Sequence, residues 1–270
     1  MRARVFCCAL AAALFAPDAL AWGLQTHVFF AQWALAAAPL ADPQFRAAAL
    51  RLPRLVLAGA CLPDLALIGR ALGLAAFRRA HQWTTLRRLA AACWDEERAV
   101  AVGYASHLVA DVVAHNRFVP EYEGRIGEVP HVTHAICEWA MDDHVKGFLE
   151  VEPATLMRTE IATLAEAAGR TFRCSEPLAR RAILLLARGE RTLRASRLPT
   201  LCRATVGAFD GGMRPRFDAY SSDALALVRQ IDAVLRGAEP RWEPEPDQAM
   251  ANEAQAMSAP SAAPAITSLG

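Results

Sequence analysis

The 270-residue chain predicts an all-α protein built as a single multi-helix bundle. Two observations carry that expectation. Ala, Leu and Arg, all good helix formers, dominate the sequence. Period-two runs of β-branched and aromatic residues, which mark strands, are almost absent.

The elements follow in order. Residues 1–21 read as a secretory signal peptide: Arg2 and Arg4 are followed by an apolar run from Val5 to Phe15, Pro17, and the small-x-small site Ala19-Leu20-Ala21. The rival reading is a hydrophobic N-terminal helix packed in the core. The run is shorter than the roughly 20 apolar residues that span a bilayer. Arg or Asp interrupts every later one, so the mature chain is expected to lack a transmembrane segment and to be exported, periplasmic or secreted.

Thr26 is placed to cap a helix running to about Ala38, with Phe29, Phe30 and Trp33 on its apolar side. Ala47 to Ala60 forms a second helical stretch, and Cys61-Leu62-Pro63-Asp64 a loop, because proline biases the preceding residue away from helix. Trp83 to Ala92 is helical. A long helix runs from Asp95, where Asp95, Glu96 and Glu97 suit a positive N-terminus, to about Asn116. Pro130 starts a helix reaching about Leu149. Three or four helices follow between Pro153 and Arg236, interrupted near Pro177, Pro199 and Gly211-Gly212. From Ala238 the chain is rich in Pro, Ala, Ser and Glu without an apolar period, which reads as a disordered tail over 238–270. The folded domain is therefore expected at 22–237.

A net charge of +1 gives no case for an electrostatic nucleic-acid binder. Lys146 is the only lysine, and the arginine bias fits a GC-rich genome better than phosphate recognition. Cys7 and Cys8 leave with the signal. Cys61, Cys93, Cys137, Cys174 and Cys202 remain, an odd number without CxxC spacing. An oxidising compartment permits a bridge, and Cys174 with Cys202 is the first pair to test.

The chemistry concentrates in Ser106-His107-Leu108-Val109-Ala110-Asp111-Val112-Val113-Ala114-His115. His107, Asp111 and His115 stand at i, i+4 and i+8 of a helix. Each step of four adds about 40° of rotation, so they share one face among apolar residues. Hydrogen-bonded core residues are one reading, and metal binding is the stronger one for three in register. Residues eight apart lie about 12 Å apart along the axis. His107 and Asp111 can thus share an ion, while His115 serves another and the Asp111 carboxylate bridges. His134 and Glu138 form a second i, i+4 pair. His131 and His144 read as surface or supporting groups. Asp142, one turn past Glu138, is placed to orient a ligand but reads rather as a solvated helix residue, and Cys137, three after His134, reads as a small buried filler rather than a ligand. His27, Asp64 and His81 complete the set. Five histidines and three carboxylates suit zinc better than calcium or magnesium.

From Trp22 to about Asp142 the chain resembles the zinc-dependent phospholipase C family, which includes the catalytic domain of glycosylphosphatidylinositol-specific phospholipase D. More distantly it is similar to the single-strand-specific zinc nucleases. The resemblance implies a phospholipase C/nuclease-type helical bundle. It also implies that Trp22, freed by signal cleavage in Trp22-Gly23-Leu24-Gln25-Thr26-His27, binds metal through its own amine and carbonyl. Carried over residue by residue, it gives about three zinc ions. Trp22, His27 and a bridging Asp111 hold one. Asp64, His81, His107 and Asp111 hold a second, and His115, His134 and Glu138 a third. The short gap from Asp111 to His115 follows the phospholipase D branch, whereas residues 150–236 match no motif. The implied activity is hydrolysis of a phosphodiester by zinc-activated water, with Asp64 as proton acceptor. The expected substrate is a phospholipid headgroup at a membrane surface, and the enzyme is expected to be a monomer. A zinc nuclease of the same fold and a non-catalytic zinc protein remain as alternatives.

Overall fold

A computed structural model describes residues 23–91, 94–126, 132–238 and 240–244. The segment read as a signal peptide, Trp22, Cys93 and His131 lie outside the described residues, as does most of the tail expected over 238–270. Among the described residues no strand occurs, and the all-α expectation holds. The helices in chain order are α1 (Leu24–Ala37), α2 (Pro43–Arg51), α3 (Pro53–Gly59), α4 (Leu65–Ala71), α5 (Trp83–Ala90) and α6 (Asp95–Val113). A π-helical turn over Ala114–Phe118 continues α6 directly into α7 (Val119–Ile126). Then come α8 (Val132–Val145), α9 (Pro153–Thr159), α10 (Ile161–Phe172), α11 (Glu176–Ala195), α12 (Leu198–Phe209), α13 (Met213–Val228) and α14 (Ile231–Leu235).

Helix α6 is the central strut. It packs against α1, α2, α3, α5 and α13, and from Ala99 to Val113 every one of its residues is buried. A helix apolar all round belongs inside a protein. Its polar exceptions, Ser106, His107 and Asp111, must therefore find partners within the fold. The backbones of α3 and α6 touch. A Cβ on Gly103 would sit 1.8 Å from the Val56 carbonyl oxygen, and one on Gly59 would sit 2.4 Å from that of Val100. This contact carries the turn after α3, and with it Asp64, up to the α6 face that bears His107.

Several local expectations are corrected. Thr26 is not the cap of α1. The helix starts at Leu24 behind Gly23, and Thr26 is buried in its first turn. Phe30 is buried as expected, but Trp33 is 36% exposed. The stretch expected over 47–60 is two helices, because Pro53 opens α3 and ends the helix before it. The C-terminal half holds six helices rather than three or four. Pro177 and Pro199 lie in the first turns of α11 and α12, where the missing N–H costs nothing. The breaks fall just before them, at the left-handed residues Arg173 and Arg197. Cys61, Cys137, Cys174 and Cys202 are free thiols, so the Cys174–Cys202 bridge is not formed. Burial pushes the Cys202 thiol up to about 12, which suits a thiol that packs rather than reacts. In the described part of the tail, the Trp83 indole N–H donates to the Trp242 carbonyl at 3.4 Å. The Asn116 amide donates to the Glu243 carbonyl at 3.1 Å. Residues 240–244 are thus seated on the body of the domain.

Candidate metal centre

The nine sequence candidates less Trp22 converge on one region, and each arrives by a local cause. His27 projects from the first turn of α1. Asp64 stands at the N-cap of α4, a position where Asp normally accepts a backbone N–H, yet its side chain makes no capping bond. It is buried and turns instead toward His81, with Oδ1 3.6 Å from the His81 Nε2. His81 lies in the turn before α5, where the buried Tyr104 hydroxyl from α6 donates to the carbonyl of Ala80 beside it. His107 and Asp111 come from α6, His115 from the π turn, and His134 and Glu138 from α8.

Asp111 is the hub. Its Oδ1 lies 3.3 Å from His27 Nε2. Its Oδ2 lies 2.9 Å from His107 Nε2 and 3.6 Å from His81 Nε2. His81 and His107 bring their Nε2 atoms to 3.2 Å of each other, and the His27 and His107 rings stack at 3.4 Å. His107 Nδ1 donates to the Ala60 carbonyl at 2.7 Å, since that oxygen only accepts. The Nε2 lone pair of His107 is therefore the one facing the cluster. His115 does not join this group. Its ring lies 5.2 Å from that of His134, whose Nε2 is 2.7 Å from Glu138 Oε1. The π turn widens the helix at His115, and such turns recur at functional sites.

Three groups thus place one ligand atom per residue within 4.8 Å of one another: His27, His107 and Asp111; Asp64, His81 and His107; and His115, His134 and Glu138. The electrostatics fit a cation. Burial holds the His107 imidazole down at about 3, and burial followed by the neighbouring His134 lowers His115 well below its usual range. Neutral imidazoles are the form that ligates metal. Burial raises the Glu138 carboxyl well above its usual range, and Asp111 and Asp64 push the same way. Glu138 Oε2 is buried without a hydrogen-bond donor among the described residues. Packed carboxylates that penalise one another's charge gain most from a shared divalent ion. The donors are nitrogen and oxygen only, which suits Zn²⁺.

The family model for zinc dependent phospholipase C matches residues 26–168, just over half of the chain. The chain belongs to the zinc dependent phospholipase C family. No curated protein and no solved structure matches it. The phospholipase C match spans α1 to α10, and so contains every described candidate ligand.

Other sequence expectations resolve around this centre. His144 is apart from it, with Nε2 2.8 Å from Asp218 Oδ1. Cys137 is a buried filler on α8. Asp142 is not solvated. It is fully buried, accepts from the Thr26 N–H at 2.9 Å and the Thr26 hydroxyl at 2.8 Å, and pairs with Arg194 at 2.6 Å. Its i+4 spacing from Glu138 was the sequence signal. Its cover comes from α11, in the half of the chain that carries no motif.

Proposed function

We propose that the protein is a zinc-dependent phosphodiester hydrolase of the phospholipase C type, cleaving phospholipid headgroups at a membrane surface. The observation that carries this reading is the division of Asp111, with one oxygen toward His27 and the other toward His107 and His81. Together with the separate His115, His134 and Glu138 group, it supports about three ions, held in the sets that the resemblance implies. Trp22 would complete the His27 set through its amine and carbonyl. Gly23, the next residue in sequence, is the N-cap of the helix that bears His27, and this supports the reading.

Zinc held there supplies Lewis acidity to phosphoryl oxygens and makes water acidic near neutral pH. The chain does the rest. The histidines present fixed neutral lone pairs, and the Ala60 carbonyl locks the His107 tautomer. Asp111 spans two sets with one side chain. Asp64, buried and unused as a helix cap, is assigned as the acceptor of the attacking water's proton. His115 and His134 are only partly buried, which supports entry of the substrate phosphate at that end. No helix among the described residues is long and apolar enough to cross a membrane. We further propose that the enzyme is exported and acts on the lipid surface as a monomer.

The test is hydrolysis by processed, exported protein presented with phosphatidylcholine vesicles, phosphatidylinositol vesicles and single-stranded DNA. The expected result is release of phosphorylated headgroup and diacylglycerol, suppressed by a chelator and restored by zinc. Cleavage of DNA with intact lipid would assign the centre to a nuclease. Failure to cleave any of the three by fully zinc-loaded protein would assign it to a non-catalytic zinc protein.

A further inference from the structure

The start of α1 is held by groups from two other helices. Gly23, its N-cap, has no side chain to cap with, so the first N–H groups of the helix need an acceptor from elsewhere. Asp142 of α8 supplies one: its Oδ1 takes the hydroxyl of Thr26 and shares the Thr26 N–H with the Gly23 carbonyl. A carboxylate at a helix N-terminus is favoured by the helix dipole as well as by these bonds. The contact is close. A Cβ on Gly23 would lie 2.1 Å from Asp142 Oδ2 and 2.4 Å from its Cγ. Only glycine lets the entering backbone lie against the carboxylate.

Asp142 is itself fixed. Arg194 of α11 reaches Oδ2 at 2.6 Å and is oriented by Glu190, whose Oε1 lies 2.8 Å from Arg194 Nε. Glu190 is buried as well. Nearby, Gln25 donates to Glu152 at 3.1 Å. Burying three charged groups is costly unless their mutual pairing and hydrogen bonds repay the desolvation, and here Arg194 pairs with both carboxylates while Thr26 donates to Asp142. Thr26 immediately precedes His27, and Asp142 lies one turn beyond Glu138. The same carboxylate therefore ties together helices that bear candidate ligands of two different metal sets.

We propose that Asp142, held by Arg194 and Glu190, is a positioning residue that seats the N-terminal end of α1 on the metal cluster and so sets the affinity of the ion bound by His27 and Asp111. The inference rests on the multi-zinc reading above.

The test uses processed, exported full-length chain, with its start at Trp22 verified by intact mass. Zinc is counted by elemental analysis, and its release is followed by chelator titration. Asp142→Ala should release one ion at a chelator concentration about 10–100-fold lower than wild type, the usual effect of removing a ligand's support, and leave the others in place. Asp142→Asn keeps an oxygen for Thr26 but loses the Arg194 ion pair, and should fall between the two. Gly23→Ala should resemble Asp142→Ala, because its Cβ would displace the carboxylate. If Asp142→Ala fails to fold, Thr26→Val removes only the hydroxyl donor and should still shift the same ion in the same direction. Lower melting temperatures with unchanged zinc release in all variants would reduce Asp142 to a structural pin and overturn the proposal. A chain extended by Met before Trp22 separates the two claims. If it loses one ion while Asp142→Ala keeps all of them, the terminal ligand stands and this inference fails. If wild type itself holds one zinc or fewer, the multi-zinc reading fails and takes the inference with it.

Discussion

At the scale of single residues, the centre is a set of buried groups whose charges are tolerable only together. Asp111 is buried and surrounded by His27, His81 and His107. Asp111→Asn replaces one anionic bridge by a neutral amide and should lower the zinc content by more than one ion, with hydrolysis abolished; a variant with full zinc content would make Asp111 a mere hydrogen-bonding partner. The pH dependence of the metal-free protein follows from the same burial. Unfolded histidines titrate near 6.5, whereas His107 is held at about 3. Between those values the unfolded chain binds more protons, so stability from His107 is complete above the upper value and is lost as pH falls toward the lower. Glu138 has the opposite sign, because its raised carboxyl opposes folding once it must ionise. Glu138→Gln should therefore raise the melting temperature of chelated protein at pH 7 while weakening zinc binding. The raised carboxyls of Glu190, at about 7, and Asp142 still pull against the histidines, chiefly because both are buried, so the pH test is differential: chelated His107→Asn should lose less melting temperature than its parent as pH drops from 7 toward 5. An unchanged slope would contradict the neutral, buried state of His107. These ligands were legible in the sequence because helical spacing of four puts His107 with Asp111 and His134 with Glu138 without any tertiary knowledge. Asp142 shows the same spacing, but its burial and its partners Thr26 and Arg194, 116 and 52 residues away, leave no local pattern.

At the scale of elements, the centre depends on how closely α3 lies on α6. Gly103→Ala would drive a methyl into the Val56 carbonyl, which backbone cannot evade by changing rotamer. Overpacking of this kind costs about 1–3 kcal/mol or more. Because α3 leads directly to the Ala60 carbonyl and Asp64, the variant should also bind zinc less tightly; a thermal melt and a chelator titration on one sample measure both. Loss of stability with unchanged zinc affinity would show that the turn after α3 is positioned by other contacts. Helix existence was readable from composition and period, and helix ends were not. Thr26 has the chemistry of a cap, but its hydroxyl is taken by Asp142 from across the fold. Pro53, Pro177 and Pro199 signal helix starts as readily as interruptions, and neighbouring residues decide between the two. The π turn at His115 has no periodic signature at all.

At the scale of the whole molecule, the C-terminal half braces the metal-bearing half. α12 packs along α8, and Asp143 of α8 is held from α12 by the Thr200 hydroxyl at 2.7 Å and by Arg203 at 2.7 Å. This bracing was not legible, because long-range pairing leaves no local pattern. Residues 240–244 extend it by contacting Trp83 and Asn116, close in sequence to His81 and His115. Truncation after Pro244 should leave melting temperature and zinc content unchanged. Truncation after Ala238 removes two hydrogen bonds, each worth about 1 kcal/mol, and should lower the melting temperature by about 4–8 °C. Equal melting of both truncated chains would show that the 240–244 contacts add nothing to stability. The central claim is that the buried histidines and carboxylates form one multi-zinc centre divided by Asp111. Elemental analysis of processed, folded, unchelated protein tests it most directly: the account predicts about three zinc ions per chain, and a count of one or fewer would contradict it.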